Sequence, residues 1–223
     1  MGTDDQTAVR LLRGALVMAL IATIVLGLSG QWSDPWLLAY LAIWTGLIAY
    51  GLAAMGDDLA RERFSPPDQG ADRAHLRFIR LTAVAHLAIG ALDTGRWHLA
   101  PVPDPLRALG LVGIAVFGGL VFRSMAANRF FSAVVRIQKD RGHSVIDQGP
   151  YAVIRHPGYA GMILSVPCSG LALGSWLSVG LALMYSALML RRVAFEDAFL
   201  GANLQGYAEY RTRVRYRLVP GLW

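Results

Sequence analysis

The sequence has few charged residues and a single cysteine. Of its 223 residues, 16% are charged and 55% are hydrophobic, whereas a soluble domain carries about 25% charged residues. Cys168 cannot form an internal disulfide, and no cluster of cysteine and histidine has the spacing of zinc ligands. The composition therefore excludes a disulfide-stapled domain, predicts no metal site and favours a membrane protein.

Six apolar stretches are long enough, or nearly so, to form a spanning helix of roughly 20 residues. They run Leu11–Ser29, Trp36–Met55, Leu76–Leu92, Leu106–Met125, Tyr159–Leu173 and Trp176–Leu190. Only two residues separate the last two stretches, which predicts a short helical hairpin. We therefore predict an all-α polytopic membrane protein with about six spans. Its single domain (1–223) would consist of N-terminal transmembrane helices (1–127) and a C-terminal half (128–223).

The basic residues are distributed asymmetrically along this arrangement. If the N-terminus is cytoplasmic, the segments on that side hold 19 Lys and Arg residues, and only Arg96 and Arg107 lie on the other side. Cytoplasmic loops carry an excess of basic residues, so both termini and the segment 128–157 are expected to face the cytoplasm from the inner (plasma) membrane. This asymmetry also accounts for the net charge of +6 without a nucleic-acid partner.

The segment Asn128–Pro157 is too polar to cross a membrane, and its roughly 30 residues exceed an ordinary connection. It leads into the motif 155–159, Arg-His-Pro-Gly-Tyr, in which Pro157 predicts a helix start. The free amides of a helix start, beside an arginine and a histidine, predict an anion site. Gly158 and Gly161 would let a flat ligand approach the backbone. Alternatively, the arginine and histidine lie at lipid headgroups and the proline only bounds a helix.

A second pattern follows the last predicted span. Arg192 and Glu196 are four residues apart, with Asp197 next to them, in a predicted cytoplasmic helix over Arg191–Arg211. Gly201, Asn203 and Gly206 are expected to interrupt this helix. The spacing alone predicts an i,i+4 salt bridge on a helix face. Because the pair lies just beyond the hairpin, it can also fold back toward the motif 155–159, which makes it a candidate for a binding site.

Together these residues resemble the isoprenylcysteine carboxyl methyltransferase family, in particular its bacterial-type members. The resemblance covers roughly residues 128–220. It rests on His143-Ser-Val-Ile146, Gly149, Tyr151, Arg155-His-Pro-Gly-Tyr159, Gly161, Arg192, Glu196-Asp197, Tyr207-x-x-Tyr210, Val214 and Leu218-Val-Pro220. Two positions differ from the family pattern: the acidic pair is Glu-Asp rather than Glu-Glu, and Arg136 is charged where the family tends to be neutral.

The resemblance implies a membrane-embedded enzyme that uses S-adenosylmethionine, with residues 128–223 as its cofactor-binding catalytic half. The cofactor would contact Arg136, His143, Ser144, Val145, Ile146, Tyr151, Arg155, His156, Pro157, Gly158, Tyr159 and Glu196. Arg192 and Glu196 would be the catalytic pair, with Arg192 holding the acceptor's carboxylate. The implied acceptor is a lipophilic small molecule or a lipidated substrate that reacts at a carboxylate or, less favoured, at a thiol.

Two other classes of protein remain open from the sequence alone. One is a reductase of the sterol-reductase type, which binds NADPH in a similar C-terminal half, and the other is a non-enzymatic membrane protein. The spans lack the central unpaired charge that a transporter usually needs. Within the spans, His86 is expected to be packed, and Asp93 with Arg96 is expected to form an ion pair on the outer face.

Overall fold

The computed structural model describes residues 3–64 and 72–223, and the regular elements in these ranges are helical. The helices are α1 (Thr3–Ser29), α2 (Pro35–Ala54), α3 (Asp57–Phe64), α4 (Arg73–Leu92), α5 (Asp104–Gly113), α6 (Gly119–Ala127), α7 (Pro157–Leu173), α8 (Trp176–Asn203) and α9 (Tyr207–Arg213). A π-helical segment, Ile114–Gly118, joins α5 and α6 into one rod. The loop predicted between Phe64 and Asp72 lies, apart from its ends, outside the described residues.

Five of these helical segments are long and apolar enough to cross a membrane. They are Gln6–Ser29, Pro35–Ala54, His75–Trp97, Asp104–Ala127 and Trp176–Asn203. The 17-residue helix α7 is a shorter apolar helix that packs along α8. The prediction of an all-α polytopic membrane fold is therefore confirmed.

The predicted hairpin of α7 and α8 is present, and its turn is held by backbone and side-chain hydrogen bonds. Gly174 ends α7 with φ of +88°, a conformation that glycine adopts without steric cost. Ser175 caps α8 by accepting a hydrogen bond from the Ser178 amide at 3.2 Å. The loop before α5 pairs with this turn, since the Trp176 amide donates to the Ala100 carbonyl at 2.8 Å.

The structure differs from the sequence prediction in where the last long helix ends. The predicted span Trp176–Leu190 and the first part of the predicted helix Arg191–Arg211 form one continuous helix, α8, which ends at Asn203. Val193 is fully buried on this extension, so packing supports the helix beyond the apolar stretch. The chain then turns at Gly206, with φ of +81°, before the short helix α9. The predicted C-terminal helix is thus divided between the end of α8 and α9, and its expected interruption lies at residues 204–206.

Buried polar residues connect the membrane helices. His86 lies 2.9 Å from the Ser169 hydroxyl and 2.7 Å from the Ser178 hydroxyl, so it is packed, as expected. The expected pair of Asp93 and Arg96 is wrong. Asp93 is buried and accepts hydrogen bonds from the Ser175 hydroxyl and the Leu99 amide. Arg96 donates to carbonyls at the end of α1, because a guanidinium there satisfies acceptors that a helix terminus leaves free.

Candidate active site

A cavity of about 420 Å³ lies at one end of the helix bundle, enclosed by α4, α7, α8, α9 and the segment 128–146. Twelve of the thirteen predicted site residues line it: Arg136, His143, Ser144, Val145, Ile146, Tyr151, Arg155, His156, Gly158, Tyr159, Arg192 and Glu196. The thirteenth, Pro157, is buried and does not line the cavity. Residues from both ends of the C-terminal half therefore meet in one place.

Helix α7 begins at Pro157, as predicted, and its first turn faces this cavity. The first amide that bonds within the helix is that of Ala160, which donates to the His156 carbonyl at 3.0 Å. The preceding amides of Gly158 and Tyr159 have no intrahelical acceptor. Because both residues line the cavity, the helix start offers donors and a positive dipole end to a ligand.

The side chain of Arg155 makes its hydrogen bonds within the protein and leaves few donors free for a ligand. Its guanidinium forms a bidentate pair with Asp197, at 2.8 and 3.1 Å. A third nitrogen donates to the carbonyls of Val214 and Arg215 at 2.8 and 2.7 Å. The side chain therefore ties the start of α7 to α8 and the C-terminal segment. Arg155 lines the cavity, but most of its donors are satisfied by other protein groups.

Asp197 is the centre of this network and is fully buried. Besides Arg155, it accepts hydrogen bonds from Tyr207 at 2.9 Å and Arg217 at 2.9 Å, and the His156 Nε2 lies 3.1 Å away. The two members of the acidic pair therefore have different surroundings. Asp197 organises the protein behind the cavity, and Glu196 lines the cavity itself.

Arg192 and Glu196 do not form the salt bridge that their spacing allows. Arg192 pairs with Asp72 on the segment before α4, with Nε 3.0 Å from Oδ2, and donates to the Ala133 carbonyl at 2.8 Å. Glu196 accepts a hydrogen bond from the Tyr159 hydroxyl. Each side chain is held separately, so both functional groups are presented to the cavity.

The segment 128–146 is folded around the buried side chain of Gln138. The side-chain Nε2 of Gln138 donates to the Phe130 carbonyl at 2.7 Å, and the backbone N–H of Gln138 donates to His143 Nδ1 at 3.3 Å. The His143 ring lies against Phe130 with centroids 4.6 Å apart. Burial lowers the pKa of His143 to about 4, and the nearby charges of Arg136 and Arg141 act in the same direction. His143 is therefore neutral at physiological pH.

Arg136 is engaged by carboxylates of the protein. Two of its nitrogens contact Glu62 at 2.7 and 3.1 Å, and a third contacts Asp140 at 2.9 Å. Burial tends to raise the pKa of Glu62, but the hydrogen bonds from Arg136 and Ser132 outweigh it and lower the pKa. Glu62 therefore stays charged. The pair fastens the segment 128–146 to α3, which accounts for a charged residue at this position.

The expectation that Gly158 and Gly161 leave room for a flat ligand is wrong. A Cβ atom at Gly158 would lie 2.4 Å from the Phe131 ring, and one at Gly161 would lie 2.6 Å from the Phe117 carbonyl. Gly158 thus makes room for an aromatic ring of the protein. Gly161 lets α7 approach the π-helical segment before α6.

Sequence reasoning missed the contribution of α3 and the start of α4. Glu62 and Asp72 fix the segment 128–146 and Arg192, while Arg63 lines the cavity. One signal was available: the stretch Asp57–Phe64, DDLARERF, is rich in charge between two apolar spans. From the sequence alone, its basic residues indicate only the topology.

One part of the cavity wall is apolar. Ile79 from α4, Met162 from α7, and Tyr185 and Met189 from α8 line it, and they belong to a cluster packed between these helices. The polar wall is formed by the segment 128–146 and the first turn of α7. The cavity can therefore accommodate a polar ligand beside an apolar one. The fold and this cavity define the class of molecule: a polytopic membrane protein with an amphipathic cavity.

Sequence comparisons relate the C-terminal half of the chain to a known family. Residues 111–202 match the model of the isoprenylcysteine carboxyl methyltransferase (ICMT) family. A probable protein-S-isoprenylcysteine O-methyltransferase of Oryza sativa subsp. indica is 32% identical over 48% of this chain and 57% of that protein. The corresponding protein of Schizosaccharomyces pombe is 30% identical over 43% of each chain. The cobalt-zinc-cadmium resistance protein CzcN of Cupriavidus metallidurans is 28% identical over 53% of this chain and 51% of that protein.

The chain thus spans about half the length of the curated relatives it matches. The structural similarity covers more of the chain than the sequence similarity does. A solved structure of the eukaryotic intramembrane Ras methyltransferase ICMT superposes with a TM-score of 0.63, covering 93% of this chain and 75% of that one at 18% identity. The predicted resemblance to this family is confirmed over residues 111–202, and the shared fold covers most of the chain.

Proposed function

We propose that this protein is a membrane methyltransferase that transfers the methyl group of S-adenosylmethionine to a lipophilic acceptor, with a carboxylate as the favoured acceptor group. The observation that carries the proposal is the cavity. Twelve residues selected by their resemblance to the methyltransferases line one space between a polar loop and the membrane helices. That arrangement is what a reaction between a polar cofactor and a membrane-borne acceptor requires.

The residues present fit S-adenosylmethionine. The free amides of Gly158 and Tyr159 suit its carboxylate. Glu196 can accept hydrogen bonds from its hydroxyl or amino groups, and the neutral ring of His143 adds no positive charge beside a sulfonium. Burial raises the pKa of Tyr151, so its phenol stays protonated and able to donate. The volume of about 420 Å³ lies within the range of small-molecule sites.

The bound cofactor would supply an electrophilic methyl group on a positively charged sulfur. A carboxylate acceptor would need no general base, because its oxygen carries no proton and the sulfonium would leave as a neutral thioether. The protein would then contribute positioning and the exclusion of water. Arg192 has a planar guanidinium suited to a carboxylate, held in place by Asp72 and Ala133. The apolar wall would hold the lipophilic part of the acceptor.

The proposed enzyme lies in the inner (plasma) membrane with the cavity and both termini on the cytoplasmic side. The distribution of 19 basic residues against 2 supports this orientation. It would give the site access to a cytosolic cofactor.

Calorimetric titration of the detergent-purified protein tests the proposal. S-adenosylhomocysteine should bind and NADPH should not. Incubation with radiolabelled S-adenosylmethionine and an S-prenylated N-acetylcysteine should yield a methyl ester. Binding of NADPH in place of S-adenosylhomocysteine would instead support the reductase alternative and refute the methyltransferase.

A further inference from the structure

Arg63, on α3, has a guanidinium to which the proposed function gives no role. It lines the cavity, and its Cζ lies 5.4 Å from the centroid of the Phe131 ring. Within the described part of the chain, no carboxylate forms an ion pair with it, although the adjacent Glu62 is paired with Arg136. A half-buried guanidinium without an anionic partner is costly unless a ligand supplies the charge.

Arg63 and Arg192 approach the same part of the cavity from different helices. Arg192 lies over the Tyr159 ring, with Cζ 5.9 Å from its centroid, and the Phe131 ring beneath Arg63 packs on Gly158. Burial lowers the pKa of Arg63, and the charge of Arg192 lowers it further. Two guanidinium groups are thus near each other at the start of α7, and only Arg192 has a carboxylate partner among the described residues.

The surroundings of Arg63 favour the acceptor over the cofactor. Its electrostatic neighbours besides Arg192 are the phenols of Tyr159 and Tyr185, and Tyr185 belongs to the apolar wall with Ile79 and Met189. Tyr159 is also implied to contact the cofactor, but none of the other implied cofactor residues, which are Arg136, Glu196 and residues between His143 and Gly158, is among these neighbours. We propose that Arg63 binds the carboxylate of the lipophilic acceptor together with Arg192. This inference rests on the proposed function and extends it to a helix outside the matched residues 111–202.

The role predicts a particular kinetic signature. The acceptor carboxylate loses its charge as the new O–CH₃ bond forms, so an ion pair with Arg63 is stronger in the bound substrate than in the transition state. Its removal should therefore raise KM and leave kcat unchanged or slightly higher. A hydrogen bond to a charged group corresponds to an effect of about 10- to 100-fold.

The test compares Arg63→Gln with Arg61→Gln. Arg61 lies on the same helix, but its side chain is 75% exposed and pairs with Asp58. With an S-prenylated N-acetylcysteine, Arg63→Gln should raise KM about 10- to 100-fold, and Arg61→Gln should leave KM unchanged. The carboxamide analogue of this acceptor should inhibit wild type and Arg63→Gln within threefold of each other. Arg63→Lys, which keeps the charge and loses the planar fork, should fall in between.

Titration with S-adenosylhomocysteine shows whether each variant has retained its fold and cofactor site. An affinity within threefold of wild type is expected for Arg63→Gln. If that affinity falls as much as KM rises, Arg63 serves the cofactor or the fold, and the inference is wrong. An unchanged KM in Arg63→Gln also overturns it while the methyltransferase stands. A wild-type protein without binding or transfer would refute the proposed function itself.

Discussion

Replacing Asp197 by asparagine should destabilise the fold far more than loss of an exposed carboxylate. The side chain is fully buried and faces donors from Arg155, Tyr207 and Arg217. Asparagine has no charge, and its NH₂ group would face the donors that one oxygen of the Asp197 carboxylate now accepts from. Arg155, only 6% exposed, would lose its counter-ion. Removing one partner of a buried ion pair costs about 3–5 kcal/mol, which for a chain of this size lowers Tm by about 6–20 °C.

Thermal unfolding of the detergent-purified protein measures this effect. Asp147→Asn is the matched control, because Asp147 pairs with Arg213 at 2.8 Å but both side chains are accessible, at 36% and 63%. An exposed pair contributes at most about 1 kcal/mol, equivalent to at most about 4 °C. If Asp197→Asn shifts Tm no more than Asp147→Asn does, the network around Asp197 does not hold the C-terminal half together.

Three further experiments test other parts of the structure. Glu196→Gln should weaken S-adenosylhomocysteine binding by about 1.5–3 kcal/mol, whereas Arg192→Lys should mainly reduce transfer to a carboxylate acceptor; wild-type binding and transfer in both variants would leave the pair without a function. Gly161→Ala should cost about 1–3 kcal/mol of stability. Gly180→Ala, whose added Cβ meets nothing within 4 Å, should be neutral or stabilise by up to about 1 kcal/mol; equal Tm values for the two variants would contradict the close contact of α7 with the π-helical segment. In a Cys168→Ala background, a membrane-impermeant thiol reagent added outside should label Ser33→Cys and not Ser144→Cys, and the reverse result would invert the proposed orientation.

Much of the lining of the cavity could be predicted from short sequence motifs. The motif Arg155–Tyr159 and the positions of Arg192 and Glu196 are local patterns, and they identify much of the cavity wall. The roles of individual side chains were harder to predict from the sequence. Whether Arg155 offers its guanidinium to a ligand depends on Asp197, 42 residues away in sequence, and no local pattern contains that information.

Apolar runs and one proline were enough to predict the membrane class, the approximate spans and the helix start at Pro157. These depend on the length of apolar runs and on the backbone restrictions of proline, which act locally. Only the tertiary structure showed that Glu62 and Asp72, from segments before Asn128, fix the loop and Arg192 of the C-terminal half. It also brought Arg63 to the cavity. The physical reason is that a buried charge takes as its partner whichever opposite charge the packing of the helices brings near, so spacing along the chain cannot identify that partner.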